Sequence, residues 1–308
     1  MFGLSKLLRL FYEFFLLKAD RPVITDIRVQ LMRRIAGQKT RFLGVSRGAV
    51  GLKTALIEVS SGGEVTISDV VFHGPQDPAV EARKIKQLIS RYDTDLIIGL
   101  LSQSYSVRVS SKHPYPRPSD VDVQDFMRGD QQSRITPPDI TLERDEIYIP
   151  LYHPKLRIAL FFTVQVKVLR EFDSFLRNCG GKVVRLQCGG FAVLRHLVDT
   201  QPDLLQADGV VVVIDQTTPL ILPISGGAWA NPSCVYQNAF ENTAITLLKR
   251  LHALQVRGTL TLFNTTEFKF HECLAKGMPN VVAGYSSDVL QPMEAEQGGL
   301  EFRAALHA

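Results

Sequence analysis

Residues 41–60 read RFLGVSRGAVGLKTALIEVS, and this stretch decides the predicted fold. Its two apolar ends, Arg41–Val45 and Leu52–Val59, have the composition of β-strands. The small residues Ser46-Arg47-Gly48-Ala49 between them predict a tight turn. A third predicted strand, Val65–Phe72, follows the Ser-Gly-Gly turn at 61–63, so we expect an antiparallel meander of three strands.

Helices and strands alternate beyond the meander, in two halves of similar order. In the first half, a predicted helix at Val80–Tyr92 precedes Asp95–Leu101, whose continuous apolar sequence is typical of a buried parallel strand. In the second half, strands at Val210–Asp215 and Leu220–Ile224 pair across a Thr-Thr-Pro turn and precede a helix at Phe240–Leu254. Each half opens with a hairpin and continues with a helix and a strand, which predicts an internally duplicated α/β protein. The other predicted elements are helices at Ser119–Gly129, Lys167–Asn178, Phe191–Val198 and Glu267–Lys276, and strands at Glu146–Leu151, Leu156–Val164, Lys182–Cys188, Thr259–Phe263 and Asn280–Ala283.

The composition excludes several classes of protein. With 308 residues, of which 45% are hydrophobic and 21% charged, the chain has the profile of a soluble globular protein of one or two domains. The apolar stretch Leu7–Leu17 is interrupted by Arg9 and Glu13, so we expect neither a transmembrane helix nor a secretory signal. The four cysteines are widely spaced, which predicts reduced thiols in the cytoplasm and no metal site. A net charge of +4 is too small to indicate a nucleic-acid partner.

The positive charge is concentrated at the N-terminus. Residues 1–39 carry 8 basic and 3 acidic side chains, a balance of 8 − 3 = +5, and the remaining residues carry 27 basic and 28 acidic ones. Helical spacing brings Lys6, Arg9 and Glu13 to one face and leaves apolar residues on most of the rest, which predicts a basic amphipathic helical arm. The arm either docks on a membrane or partner or packs on the body of the protein. The candidate docking residues of the arm are Leu7, Leu8, Arg9, Phe11, Phe14 and Phe15.

Two segments resemble a known family. The hairpin LGVSRGAVGLK, Leu43–Lys53, resembles the first phosphate hairpin of the actin-like ATPase superfamily, as found in the type IV pilus assembly family PilM. Between Ile158 and Leu197 the resemblance is sharper. Phe191-Ala192-Val193-Leu194-Arg195 stands at the family's Phe-Ala-Leu-x-Arg stretch, and Cys179-Gly180-Gly181 stands at its Ala-Gly-Leu turn.

This resemblance implies a domain organisation. It predicts a duplicated ribonuclease H-like (actin-like) α/β fold with a small inserted subdomain. Residues 40–209 would form the first lobe, with an insert of the type called subdomain 1C at about 102–188, and residues 210–308 would form the second lobe. The segment Val210–Ile224 would be the second phosphate hairpin, and residues 264–266 would lie at the adenosine site.

The sequence departs from the family at all three nucleotide regions. Ser46 stands where the family has an acidic residue, and serine supplies no negative charge to hold Mg²⁺. Thr217 replaces a glycine in the second hairpin, and Pro219 removes a backbone donor. At the adenosine site, Asn264-Thr265-Thr266 stands where the family has a Gly-Gly turn. We interpret Asp215 and Lys53 as an ordinary turn carboxylate and a solvated strand-end lysine, and we predict no bound cofactor, with ATP and Mg²⁺ disfavoured. The remnant nucleotide-site positions are Ser46, Arg47, Gly48, Gly51, Lys53, Asp215, Thr217, Thr218, Asn264 and Thr265.

The resemblance implies a non-catalytic scaffold rather than an enzyme. Such a protein would be cytoplasmic and peripheral on the inner membrane, in a type IV pilus or type II secretion-like machine. It would dock the cytoplasmic tail of an inner-membrane PilN-like protein between its first subdomain and the insert, and it would contact an assembly ATPase. Two alternatives stay open: an active actin-like ATPase or small-molecule kinase that binds Mg–ATP between the lobes, and an adaptor of another envelope complex.

Overall fold

The structure is a computed structural model that describes residues 39–60, 62, 64–110, 145–153, 155–156, 158–254, 258–266, 268–277 and 302. Within these residues, thirteen strands and five α-helices follow one another along the chain. In chain order they are β1 (Thr40–Gly48), β2 (Gly51–Val59), β3 (Val65–His73), α1 (Pro78–Tyr92), β4 (Leu96–Leu101), β5 (Tyr105–Ser110), β6 (Glu146–Tyr152), β7 (Ala159–Gln165), α2 (Val166–Asn178), β8 (Lys182–Cys188), α3 (Gly189–Thr200), β9 (Gly209–Asp215), β10 (Thr218–Ser225), β11 (Ala228–Trp229), β12 (Ser233–Cys234), α4 (Phe240–Leu254), β13 (Thr259–Asn264) and α5 (Phe270–Gly277).

The predicted duplication is present in the strand topology. In the first sheet, ordered β3-β2-β1-β4-β8, β1 pairs antiparallel with β2 and parallel with β4. In another sheet, ordered β11-β10-β9-β13, β9 pairs antiparallel with β10 and parallel with β13. Both halves therefore place a hairpin beside a parallel strand that is reached through a helix, α1 in one half and α4 in the other.

Local sequence signals explain where helix α1 begins and ends. The side chain of Asp77 accepts a hydrogen bond from the backbone N–H of Ala79 at 2.8 Å, and Pro78 occupies the first turn, where its missing N–H costs no hydrogen bond. At the other end, Asp93 adopts a left-handed conformation (φ 49°) and its N–H caps the last carbonyls.

A three-stranded sheet, ordered β5-β7-β6, lies apart from the two duplicated sheets in its hydrogen bonding. Strand β5 was not among the predicted strands, because its six residues YSVRVS carry few large apolar side chains. Strand β8 lies within the range 102–188 that the sequence analysis assigned to the insert, but it pairs with β4 in the first sheet. The separate sheet is therefore built from residues 105–110, 146–152 and 159–165.

All three sheets share one hydrophobic core. Leu43 of the first sheet, Phe162 of the three-stranded sheet and Val213 of the second half belong to the same cluster of buried side chains. The opposite face of the first sheet is covered by Phe302, which is fully buried against Gly44. An ideal Cβ at Gly44 would lie 2.6 Å from the Phe302 ring, so the close approach of ring and strand requires glycine there.

The structure corrects both predicted hairpin turns. Strand β1 continues through Gly48, so Ser46 and Arg47 pair with β2 as strand residues and only residues 49–50 form the turn. In the second hairpin, residues 216–217 form the turn and Thr218 and Pro219 already belong to β10. The turns are shorter than predicted because backbone pairing continues through the polar residues that we read as turn formers.

Other element boundaries differ slightly from the prediction. Strand β7 begins at Ala159 rather than at Leu156, and helix α5 begins at Phe270 rather than at 267. The predicted helix at Ser119–Gly129, the predicted strand at Asn280–Ala283 and the arm of residues 1–38 lie outside the described residues. No helix among the residues described combines the length and the apolar character that a membrane span needs.

Candidate functional site where the two hairpins meet

The ends of the two hairpins lie against each other in the interior of the protein. Strand β1 carries Ser46 to this point from the first half, and strand β9 of the second half ends here at Asp215, with Gln216 in the turn that follows. All three residues are buried, because the apolar strands that carry them run through the core on both sides. Ser102, which directly follows strand β4, is buried with them.

Four side chains form a chain of hydrogen bonds between the halves. Ser102 Oγ donates to Asp215 Oδ1 at 2.6 Å. Because Ser102 has a single hydroxyl proton, the 2.7 Å contact between Ser46 Oγ and Ser102 Oγ must use the proton of Ser46. Gln216 Nε2 in turn donates to Ser46 Oγ at 3.1 Å. The donors thus point in one direction, from the Gln216 amide to the carboxylate, and each bond polarises the next.

The Asp215 carboxylate also touches the insert and a helix N-terminus. Tyr105 of β5 donates its hydroxyl to Asp215 Oδ2 at 3.4 Å. Burial raises the pKa of Tyr105 well above its ordinary value, so the hydroxyl keeps the proton that it donates. The carboxylate lies against Gly189, the first residue of α3, where an ideal Cβ would be 2.3 Å from Oδ2. A negative charge is favourable at this position because the helix dipole is positive at its N-terminus.

Lys53 extends the contact between the halves. Its side chain is buried, with the residue 5% exposed, and its Nζ donates to the backbone carbonyl of Thr265, which follows β13. Thr265 is itself held by its hydroxyl, which donates to the Ile214 carbonyl at 3.1 Å. The interpretation of Lys53 as a solvated strand-end lysine and of Asp215 as an ordinary turn carboxylate is therefore wrong. Both charged side chains are buried in the interior between the two halves.

Arg47 points away from this network. Its guanidinium forms an ion pair with Glu81 of α1, at 3.2 Å between Nη2 and Oε2, and lies 4.7 Å from the ring centroid of Phe175 on α2. Burial raises the pKa of Glu81, and the nearby Arg47 charge partly opposes that rise. Among the predicted positions, Arg47 therefore connects strand β1 to two helices instead of facing the second half.

The remaining predicted positions surround the network or shape its turns. An ideal Cβ at Gly48 would lie 1.9 Å from Gln216 Oε1, so the two hairpin ends are in direct contact there. Gly51 has a φ of 134° and ends the first turn. Thr218 donates its hydroxyl to the Ser102 carbonyl at 2.8 Å, and the Thr217 carbonyl accepts from the Thr243 hydroxyl at 3.3 Å. The Asn264 side chain closes a local turn with Thr266.

Aromatic side chains form a second bridge between the halves. Phe72 of β3 lies 6.0 Å from Phe240 at the start of α4, measured between ring centroids. Phe240 stacks on Phe268 at 5.5 Å with an interplanar angle of 20°, and Phe268 contacts Phe270 at 4.7 Å. The first half thus contacts the second half through an apolar cluster as well as through the polar network.

The charged side chains that a magnesium nucleotide would need are already bonded to protein groups at this site. Such a ligand needs a carboxylate that can reach the metal and cationic or backbone N–H groups directed at the phosphates. Asp215 is 1% exposed and engaged with Ser102 and Tyr105, and Lys53 is engaged with Thr265. In the described part of the chain, no three His, Cys, Asp or Glu side chains are grouped so that they could hold a metal ion.

An open groove lies on the surface where the insert joins helix α2. Its volume is about 600 Å³. Charged side chains of both signs line it around the half-buried ring of Phe175. The lining residues are Asp145, Val166, Lys167, Arg170, Glu171, Ser174, Phe175 and Asn178.

The paired hairpins and the sheet topology define an actin-like, ribonuclease H-like fold. No protein-family model and no curated protein matches the sequence. Among solved structures, a chain of a PilM–PilN type IV pilus biogenesis complex is similar, with a TM-score of 0.52 and 15% identity, over 86% of this chain and 99% of that chain. This likeness confirms the predicted actin-like fold and the predicted resemblance to PilM.

Two further structures are similar at lower TM-scores. The cytoplasmic domain of EpsL, an inner membrane component of the type II secretion system of Vibrio cholerae, has a TM-score of 0.46 and 15% identity, over 87% of this chain and 96% of that chain. A Bacteroides thetaiotaomicron protein with an actin-like ATPase fold and unknown function has a TM-score of 0.48 and 10% identity, over the same shares of the two chains.

The sequence reasoning missed three residues of the polar network: Ser102, Tyr105 and Gln216. Ser102 directly follows the apolar run of β4, where the end of a parallel strand approaches the ends of its neighbours, and this position was a usable signal. Gln216 follows Asp215 in a turn and has a φ of 54°, which no residue pattern indicated. Tyr105 lies on the strand that was not predicted.

Proposed function

We propose that this chain is a non-catalytic scaffold of the PilM type in a type IV pilus or type II secretion-like machine at the inner membrane. In this proposal, the groove at α2 docks the cytoplasmic tail of a PilN-like membrane partner. The observation that carries the proposal is the position of the groove. It lies where Asp145, just before strand β6 of the three-stranded sheet, faces helix α2 of the first half.

The chemistry of the groove suits a peptide of mixed charge. Lys167 and Arg170 offer positive charge, and Asp145 and Glu171 offer negative charge. The Lys167–Glu171 ion pair is exposed and long, at 3.9 Å, so a peptide can replace it at little cost. The half-buried Phe175 ring provides an apolar surface for one anchoring side chain.

A peptide-binding assay tests the docking proposal. The probe is a fluorescently labelled synthetic peptide with the cytoplasmic tail sequence of the PilN-like membrane protein from the same organism, followed by anisotropy. Ser174→Arg places a large side chain in the groove and should weaken binding by about tenfold or more. Gln87→Arg makes the same kind of change on the exposed face of α1 and should leave binding unchanged. Equal affinities for all three proteins would contradict the proposal.

Absence of catalysis is part of the same proposal. The burial of Asp215 and Lys53 supports it, together with the hydrogen bonds that join Asp215 to Ser102 and Lys53 to the Thr265 carbonyl. Calorimetry with Mg–ATP should show no binding, or weak binding without release of phosphate. Turnover of ATP would favour the alternative of an active actin-like ATPase or kinase.

We also propose peripheral association with the inner membrane, with the basic arm of residues 1–39 as the docking segment, and contact with an assembly ATPase. The balance of +5 in the arm supports attraction to anionic lipid. Flotation with liposomes that contain phosphatidylglycerol tests the arm, since deletion of residues 1–39 should reduce the bound fraction. Equal flotation of the two proteins would eliminate this role.

A further inference from the structure

We infer that the side chains between the two hairpins form an interlobe lock, which takes the place of a nucleotide and holds the two halves closed without a ligand. The interlobe lock consists of the hydrogen-bonded chain of Gln216, Ser46, Ser102 and Asp215, together with the Phe72–Phe240 contact. This inference goes beyond the proposed docking function and does not depend on it.

The polar part of the lock joins residues that are far apart in sequence. Ser46 and Ser102 come from the first half, and Asp215 and Gln216 come from the second half. All four are at most 1% exposed. Separating the halves would break the Gln216–Ser46 and Ser102–Asp215 bonds at once, and buried polar groups that lose their partners are strongly destabilising until water reaches them.

Direct contact leaves no room for phosphates between the hairpin ends. The Gln216 amide reaches so far across that an ideal Cβ at Gly48 would lie 1.9 Å from its oxygen. The same amide donates to the Ser46 carbonyl at 3.3 Å as well as to the Ser46 hydroxyl. A phosphate group in this position would have to displace the Gln216 side chain.

The apolar part of the lock closes the halves at a second place. Phe72 lies on the edge strand β3 and is half-buried, and its ring meets Phe240 of the second half. Lys53, the cross-strand neighbour of Phe72, reaches the Thr265 carbonyl of the second half. The polar part and the apolar part of the lock lie at two separate places. Each one prevents the halves from rotating about the other, so together they hold the halves in one relative orientation.

The lock also touches the three-stranded sheet. Tyr105 of β5 reaches Asp215, and an ideal Cβ at Gly190 of α3 would lie 2.5 Å from the Tyr105 hydroxyl. Closure of the halves and the position of the insert are therefore set by the same buried carboxylate.

Hydrogen exchange of the wild-type chain gives the first test. Exchange is followed by mass spectrometry with and without millimolar Mg–ATP or Mg–ADP, on peptides that cover residues 46–53 and 213–218. The lock predicts slow exchange at both hairpin ends that nucleotide does not change. Slower exchange at both ends when nucleotide is added would overturn the inference, because it would show that the halves close around the ligand.

Matched serine variants give the second test. Ser102→Ala removes the central hydroxyl of the lock and should speed exchange about tenfold or more at both hairpin ends together. Ser106→Ala removes a hydroxyl that contacts Thr163 within the three-stranded sheet, and it should leave both hairpin ends unchanged. If the two variants behave alike, or if Ser102→Ala affects only one end, the inference fails.

The milder variant Phe72→Ala covers the case in which Ser102→Ala does not fold. It should speed exchange at both hairpin ends, because the apolar contact holds the same orientation of the halves. Unchanged exchange in Phe72→Ala would show that the Phe72–Phe240 contact does not help to hold the halves together. Neither test uses the partner peptide, so failure of the lock and failure of the docking proposal are separate results.

Discussion

A methyl group added at Gly189 should disturb the candidate site far more than its size suggests. An ideal Cβ there would lie 2.3 Å from Asp215 Oδ2 and 2.6 Å from Oδ1, so the carboxylate would have to move by about 1 Å to reach ordinary contact distance. It cannot move freely, because Asp215 is buried and Oδ1 is held by Ser102 at 2.6 Å. Overpacking costs about 1–3 kcal/mol and a hydrogen bond to a charged group is worth about 1.5–3 kcal/mol. We therefore expect Gly189→Ala to lower the free energy of unfolding by about 3–5 kcal/mol.

A double-mutant cycle with Asp215→Ala separates this collision from any general effect on the helix. Removing the carboxylate removes the collision, so in that background Gly189→Ala should cost less than about 1 kcal/mol, since alanine is the better helix former. The free energies come from urea unfolding followed by circular dichroism. Costs of the two changes that add to within about 0.5 kcal/mol would refute the reasoning, because independent sites are additive at that level.

Two further predictions concern Arg47 and His153. Arg47→Met should lower the free energy of unfolding by about 3 kcal/mol, because it removes the ion-pair partner of the buried Glu81 carboxylate. Adding Glu81→Gln should recover part of that loss. Equal unfolding free energies of the single and double variants would contradict this. Nδ1 of His153 accepts two backbone N–H bonds from residues 155–156, and Nε2 contacts the Gly227 carbonyl at 2.9 Å, so the ring is neutral in the fold. Burial lowers the pKa of His153 below its ordinary value of 6.5, the hydrogen bond to the Gly227 carbonyl opposes that shift, and the neighbouring positive charge of residue 155 adds to it. As pH falls, His153 therefore takes up its proton at a higher pH in the unfolded chain than in the folded protein. The stability that neutral His153 contributes is complete well above pH 6.5, and it declines as pH falls below that value. Urea unfolding at pH values on both sides of 6.5 measures this loss of stability, and the loss should be smaller in His153→Gln. An equally large loss in the variant would show that other groups cause it.

The secondary structure followed from local patterns with few errors. Helix α4 was predicted at Phe240–Leu254 and has those bounds, because its apolar residues recur at helical spacing over fifteen residues. Strand β9 was also predicted to within one residue, at Val210–Asp215 instead of Gly209–Asp215. A continuous run of valines and an isoleucine is typical of a buried strand. Strand β5 was missed because its short sequence alternates polar residues with a tyrosine and two valines, which makes the apolar signal weak.

The sequence alone determined most of the element order and the duplication into two hairpin-led halves, although both turns lie at slightly different residues from those predicted. These follow from side-chain periodicity and turn chemistry, which act over a few residues. It could not determine that Lys53 and Asp215 are buried, because the contact from Lys53 joins residues 212 positions apart and that from Ser102 to Asp215 joins residues 113 positions apart. Only the packing of the sheets around one core brings Ser46, Ser102 and Gln216 within hydrogen-bonding distance. Tertiary structure therefore decided whether these polar residues bond to one another or face a ligand.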